Sequence, residues 1–341
     1  MAVLITGGLG FIGSHACIAL LQAGYEIVVV DDLSNSEGDI LDRIEAVAHR
    51  RPAFACVSLL DGTSLASVFK KNDVTAVIHL AAFKAVSGSL RDPLSYYENN
   101  VSGTLSLLER MREANVKSLV FSSSATVYGV PASLPIGEDF PRVASNPYGR
   151  SKVMIEDILT DLVMSDGSWS VVNLRYFNPV GAHESGMLGE RARNRPTSLM
   201  PHLLQVAAGQ RKSVRVFGGD YPTRDGSCVR DFIHVVDLAE GHVAALQYLN
   251  RYSGISSFNL GVGRGVSVFE LCDAFERSTG QPIRRQIVGR RPGDVAECWA
   301  DVSKAQRVLQ WKANRDVDAM CRDAWRWKRQ LLNTSLDDVA G

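Results

Sequence analysis

The stretch Thr6-Gly7-Gly8-Leu9-Gly10-Phe11-Ile12-Gly13 follows a short apolar run, Val3-Leu4-Ile5, and opens a helical pattern. Its glycines fall at Gly7, Gly10 and Gly13. A tight turn and a close backbone approach to a pyrophosphate leave no room for Cβ at such positions. The helix that follows presents free N–H groups and a partial positive charge to an anion. Glycine patterns alone are common in turns. Here, however, the second apolar run, residues 27–30, ends at Asp31, where a ribose-binding acid is expected. A carboxylate there accepts hydrogen bonds from a 2′-hydroxyl and repels a 2′-phosphate, which predicts NAD rather than NADP. Asp32 is the alternative for that role, and a plain strand-end turn is the alternative for both.

Outward from this segment the first half alternates short apolar runs with helical patterns. Residues 77–80, Leu119-Val120-Phe121 and residues 171–174 join residues 3–5 and 27–30 as buried strands. Residues 12–23, stopped at Gly24, read as a helix with a glycine C-cap. Residues 99–115 read as another, with Leu105, Leu108 and Met111 on one face. This alternation predicts an α/β, Rossmann-type, doubly wound parallel sheet. Past about residue 176 the rhythm breaks. Glycine, proline and arginine cluster in residues 179–196, 217–230 and 288–294, which read as pocket-building loops. Residues 233–248 read as a strand end and a helix returning to the first domain. The predicted division is a dinucleotide domain of residues 1–175 plus about 233–262. A smaller mixed α/β substrate domain takes residues 176–232 plus about 263–341.

The 341 residues suffice for more than one domain, and the apolar fraction of 45% is ordinary for a globular chain. Lysine plus arginine balance aspartate plus glutamate at 37 each, so no long-range field favours nucleic acid or an anionic membrane. Cys17, Cys56, Cys228, Cys272, Cys298 and Cys321 form no CxxC pair and no histidine-adjacent ligand spacing. They predict free thiols, neither a metal site nor a disulfide framework. No leader pattern or membrane-length apolar run is present, and a cytoplasmic protein is expected.

Tyr148-Gly-Arg-Ser-Lys152 sets tyrosine and lysine four apart, on one face of a helix. A free tyrosine titrates near about 10. A neighbouring ammonium, together with the positive ring of an oxidised nicotinamide, would lower it. A tyrosinate could then take a hydroxyl proton as hydride leaves the same carbon. Ser122-Ser123-Ser124 ends a strand at the sheet edge where such folds bind ligands, and a serine there can bridge substrate and tyrosine.

These segments, with Ala125-Thr126-Val127-Tyr128-Gly129, Arg175-Tyr176-Phe177-Asn178-Pro179-Val180-Gly181-Ala182, residues 229–235 and Arg290-Arg291-Pro292-Gly293-Asp294, resemble the extended short-chain dehydrogenase/reductase family. The likeness covers nearly the whole chain. It is strongest to members that interconvert UDP-glucose and UDP-galactose at C4 through a 4-keto sugar with tightly bound NAD. The resemblance implies Ser124, Tyr148 and Lys152 as the catalytic set. It implies a cofactor held by Gly7, Gly10, Phe11, Ile12, Gly13, Asp31, Asn35, Ser36, Ser58, Leu59, Leu80, Ala81, Ala82, Lys84, Asn99, Ser122, Tyr148, Lys152 and Tyr176. For substrate it implies Lys84, Ser124, Tyr148, Asn178, Ser198, Leu199, Phe217, Arg230, Arg291, Asp294 and Cys298. Two arginines suit a diphosphate, which they can grip bidentately.

Two departures stand out. Ser58 sits where similar enzymes carry an adenine-contacting aspartate, and Thr197-Ser198 replaces two asparagines in a loop made basic by Arg191, Arg193 and Arg195. Dehydratases of the family place acids after the catalytic hydroxyl residue; Ala125 and Thr126 cannot serve in that way. The small Cys298, where restrictive relatives carry tyrosine, implies that the N-acetylated UDP-hexoses are also accepted. N-acetylhexosamine epimerisation as the main activity and a non-catalytic NAD-binding protein are the alternative functions. A homodimer packed through helices is implied as well; Ile155, Ile158, Leu159 and Leu162 suit that role or simple core burial.

Overall fold

The computed structural model describes residues 2–191, 198–291 and 293–340. Strands β1 (Ala2–Thr6), β2 (Glu26–Asp31), β3 (Ala53–Cys56), β4 (Val74–His79), β5 (Ser118–Ser124) and β6 (Ser170–Tyr176) form one parallel sheet. Helices α1 (Phe11–Gln22), α2 (Ile40–Ala48), α3 (Gly62–Lys71), α4 (Val86–Arg91), α5 (Pro93–Tyr97), α6 (Gly103–Glu113) and α7 (Pro147–Ser165) lie in the crossovers. Beyond β6 come β7 (Asn178–Val180), α8 (Leu199–Ala207), β8 (Val214–Phe217), β9 (Val229–Arg230), β10 (Phe232–His234), α9 (Val235–Leu249) and β11 (Gly254–Leu260). The chain ends with β12 (Val266–Ser267), α10 (Val268–Thr279), β13 (Arg285–Val288), β14 (Glu297–Cys298) and α11 (Val317–Ala340). β11 joins the main sheet, whose order is β11-β6-β5-β4-β1-β2-β3.

Period-two side-chain alternation decides which layer each strand residue meets. Val3 and Ile5 pack into one core with Ile27, Val29, Ile78, Val120 and Val172, beneath α1 and α9. Leu4, Val28, Val77, Leu119 and Val171 enter the opposite core, with Leu65 of α3, Leu107 of α6 and Leu159 of α7. Both faces are covered, so the strands are apolar throughout, as a parallel sheet requires. Leu4 is fully buried, and its truncation to alanine should cost about 2–5 kcal/mol. A third core gathers Met200, Leu203, Phe232, Leu271, Phe275, Met320 and Trp327 from α8, β10, α10 and α11.

Several expectations need correction. Strand β4 stops at His79, leaving Leu80 in the turn beyond it. Leu105 faces solvent at 43% exposure, and the buried face of α6 is instead Thr104, Leu107, Leu108 and Met111. Steps of three residues fall short of the helical repeat of about 3.6, so Leu105 drifts off the stripe that Leu108 and Met111 share with Thr104 and Leu107. β3 and β11 escape the apolar-run reading because alanine, cysteine and serine dilute them. The supposed loop around residue 217 holds β8 paired in parallel with β13.

Candidate active site

Strand β1 delivers the glycine turn. Gly7 has φ +67, and a Cβ there would sit 2.7 Å from Ala81 N; one on Gly13 would sit 2.2 Å from Gly7 O. These two glycines thus let the turn pack on itself and on the segment just after β4. Gly10 is different: its added Cβ would meet only Gly7 O, at 3.3 Å, so that side is open. Gly10 caps α1 without a side-chain hydrogen bond, and no acid stands in the first turn. The helix's first N–H groups therefore remain for an anion, which fits a dinucleotide pyrophosphate.

A continuous cleft of about 1610 Å³ runs from this turn into the second lobe. That exceeds the roughly 300–1,000 Å³ of a single small-molecule pocket and suits two ligands side by side. Its wall includes Gly7, Gly10, Phe11, Ile12, Gly13, Asp31, Asn35, Ser36, Leu59, Leu80, Ala81, Ala82, Lys84, Asn99, Ser122 and Tyr176. Asp31 is nearly buried and accepts from Leu9 N at 3.0 Å and from Ser36 Oγ at 2.6 Å. Its carboxylate therefore tethers the glycine turn as well as facing the cleft. Asp32 also lines the cleft, but its Oδ1 is engaged by Ser34 N. Ser58 is not on the wall; its Oγ accepts from Leu60 N at 3.3 Å, while Val57 and Leu59 on either side face inward.

The other half of the wall includes Ser124, Asn178, Arg230, Arg291, Asp294 and Cys298. Asp294 binds Arg291 through two contacts, 2.8 and 3.0 Å, and Arg230 Nη2 lies 3.9 Å away. One carboxylate thus holds two guanidinium groups, leaving net positive charge for a diphosphate. Arg291 stacks over the Phe217 ring at 5.2 Å, so Phe217 stands behind the arginine rather than on the wall. Ser198 and Leu199 start α8 and are likewise off the wall. Burial pushes the Cys298 thiol up to about 11, so it lines the cleft as a neutral group. Arg193, Arg195 and Thr197 lie outside the described residues.

Helix α7 carries the tyrosine and lysine. Asn146 caps it by accepting from Gly149 N at 2.9 Å, and Pro147 occupies its first turn. The Tyr148 phenol faces the Ser124 side chain, which favours its ionised form. Ser124 Oγ in turn accepts from Thr126 N at 3.2 Å and from Thr126 Oγ1 at 3.0 Å. Lys152 is buried, with Nζ donating to Ser122 O at 2.7 Å and resting 4.7 Å from the Phe121 ring centre. Ser124 and Ser122, the β5 residues that these two side chains approach, are both on the cleft wall.

The electrostatics revise one expectation. Burial raises the Tyr148 phenol above its ordinary value, and the Ser124 side chain only partly opposes this. Burial brings Lys152 itself down to about 7, with Glu156 opposing. The protein alone thus keeps the tyrosine protonated, and a lower value has to come from charge brought in by a ligand.

Three supporting groups went unread in the sequence. Asn100 accepts from Phe83 N at 2.8 Å and donates to Ser151 Oγ at 3.1 Å, joining the turn after β4 to α7. Glu156 accepts from Ser123 Oγ at 2.5 Å and from two nitrogens of Arg175, tying β5, β6 and α7 together. Asp231, wholly buried, accepts from Val262, Gly263 and Ala300 N–H groups and so unites the loops behind Arg230. The asparagine pair 99–100 and the helical spacing Lys152–Glu156 were the available signals; for Asp231 there was none beyond its place in a quoted motif.

A dinucleotide turn, a serine strand edge and a Tyr148–Lys152 helix converging on one cleft define a short-chain dehydrogenase/reductase site. The family model described as GDP-mannose 4,6 dehydratase matches residues 4–324. The UDP-glucose 4-epimerase of Bacillus subtilis (strain 168) is 52% identical over 98% of each chain. Among solved structures, UDP-glucose 4-epimerase from Stenotrophomonas maltophila, with bound NAD and formylated UDP-arabinopyranose, superposes with TM-score 0.96. It is 46% identical, over 98% of this chain and 99% of that one. The enzyme from Bifidobacterium longum, in complex with NAD+ and UDP, gives TM-score 0.95 at 46% identity over the same shares. The chain belongs to the UDP-glucose 4-epimerase family within the extended short-chain dehydrogenases/reductases.

Proposed function

We propose that this protein is an NAD-dependent UDP-hexose 4-epimerase that interconverts UDP-glucose and UDP-galactose. The carrying observation is that Ser124, which the Tyr148 phenol faces, shares one cleft with the glycine turn on one side and Arg230 and Arg291 on the other. NAD, when bound, supplies a reversible hydride acceptor. Gly10 and the α1 N-terminus would hold its pyrophosphate, and Asp31 its ribose. Arg230 and Arg291 bind the sugar nucleotide's diphosphate. Tyr148 takes the proton of the C4 hydroxyl, with Ser124 orienting that oxygen, and later returns the proton to the 4-keto sugar. Lys152 holds the nicotinamide ribose. The roomy cleft lets the ketosugar turn about its diphosphate link and present its other face.

Ala125 and Thr126, next to Ser124 on the wall, carry no acid for removing water, which favours epimerisation over dehydration. The neutral thiol of Cys298 leaves space beside the sugar, supporting turnover of the N-acetylated UDP-hexoses too. The third hydrophobic core supports the two-domain division given above. Among the described residues no helix is long and apolar enough to cross a membrane, and we assign the enzyme to the cytoplasm. A helix-packed homodimer is part of the same proposal. Ile155 and Leu159 are core residues, but Leu94 and Met154 expose apolar surface on α5 and α7.

The test is conversion of UDP-galactose by the purified enzyme, followed by NMR. Both UDP-hexoses should reach equilibrium with no net NADH formed. Absence of UDP-glucose would sink the reading.

A further inference from the structure

Residues 189–191 leave the second lobe and lie along the rim of the dinucleotide half of the cleft. All three line it. Gly189 is seated against α11, since a Cβ there would come within 2.5 Å of the Trp327 ring. Glu190 Oε1 takes Lys84 Nζ at 3.0 Å, and its Oε2 accepts from Ser198 Oγ at 3.1 Å. Arg191 Nη1 pairs with Asp39 Oδ2 at 3.0 Å and with Glu37. A third tie follows close by: Arg43, bound to Asp39, donates to Met187 O at 3.1 Å.

The topology gives these contacts meaning. Lys84 follows β4, while Glu37 and Asp39 follow β2. In the sheet, β1 lies between β4 and β2, and its glycine turn emerges between them. The Glu190-Arg191 pair therefore fastens to both shoulders of that turn. A dinucleotide held at the α1 N-terminus would lie beneath this bridge, and its departure would then need at least one fastening to open. Such ion pairs add little to global stability. At a rim they act instead on the rate of release. A redox-neutral cycle regenerates its cofactor on every turn and has no need to release it.

We propose that Glu190 and Arg191 form a strap that retains the dinucleotide, with Arg191 as its anchor. Glu190 is the positioning residue that holds Lys84 and links it to Ser198 at the N-terminus of α8. The proposal rests on the NAD-dependent function given above.

The test uses NAD-loaded enzyme mixed with excess labelled NAD, with exchange followed over time. Arg191→Ala should exchange roughly fivefold faster, the effect of losing an ion pair at a partly exposed site. Glu190→Gln should also accelerate exchange. Arg191→Lys should restore slow exchange, which a purely structural role would not produce. High salt should speed exchange in the wild type more than in Arg191→Ala, because screening opens the same fastening. Exchange within twofold of wild type in both Arg191→Ala and Glu190→Gln would overturn the strap while leaving the NAD-dependent function standing. A wild type that binds no NAD would overturn both.

Discussion

Lys152 donates its ammonium to the carbonyl of Ser122 at 2.7 Å, while the phenol of Tyr148 faces Ser124, two residues further along the same strand. The two side chains of the Tyr-x-x-x-Lys motif thus address β5 separately. The lysine anchors the helix to the strand; the tyrosine meets the serine that faces the cleft. Since burial alone raises the tyrosine, its activation as a base depends on positive charge arriving with the cofactor.

Tyr148→Phe should reduce kcat by about 10²–10⁴-fold, the usual worth of a positioned acid–base group. The glycine turn and Asp31 are untouched, so NAD should still co-purify. Steady-state turnover of UDP-galactose, with NAD content measured on the same sample, checks both halves. A variant with wild-type turnover would remove Tyr148 from the chemistry.

Asp31→Ala should weaken NAD binding and let NADP compete. The structure adds a second effect, because the carboxylate also accepts from Leu9 N and Ser36 Oγ. Losing those tethers costs about 1–3 kcal/mol if the buried Leu9 N–H stays unpaired. Titration of both cofactors, with a thermal melt, separates the terms. Unchanged NAD-over-NADP discrimination would move the ribose role to Asp32 or elsewhere.

Cys298→Tyr should depress turnover of the UDP-N-acetylhexosamines selectively and spare UDP-galactose. The neutral thiol lines the cleft, and a phenol ring there would occupy the space that a 2-acetamido group needs while the ketosugar turns. Rates with both sugar pairs decide the matter. Equal slowing of both, or a wild type inert toward the N-acetylated pair, would refute the gate.

Acid should destabilise the fold through buried neutral imidazoles. Burial pushes His15 and His79 down to about 3 and His242 to about 4, from an ordinary 6.5. Between those values the unfolded chain binds protons that the folded chain refuses. Their stabilising effect is fully present above about pH 6.5 and is lost as pH falls from there through about 4 for His242 and about 3 for His15 and His79. Each imidazole can contribute a slope of up to about 1.4 kcal/mol per pH unit. Denaturant melts at pH 7, 6 and 5 measure it; a flat profile would show that these side chains are solvated.

Much of this was legible because local chemistry is stringent. The glycines of the first turn, the β-branched strands ending at Asp31 and the Tyr148–Lys152 spacing each reflect a steric or periodic requirement that few sequences meet. The fold class, the dinucleotide turn and the joint presence of Ser124 and Tyr148 therefore follow from the chain alone. Contacts between distant segments do not. That Lys84 meets Glu190, that one Asp294 carboxylate gathers Arg230 and Arg291, and that Ser58 turns away from the cleft depend on how separate loops pack. So does the protonated state of Tyr148, which is set by desolvation, a property of the assembled surroundings rather than of neighbours in sequence. The face of α6 was misread because Leu105, Leu108 and Met111 step by three along a helix of about 3.6 residues per turn, and Leu105 thereby leaves the buried stripe.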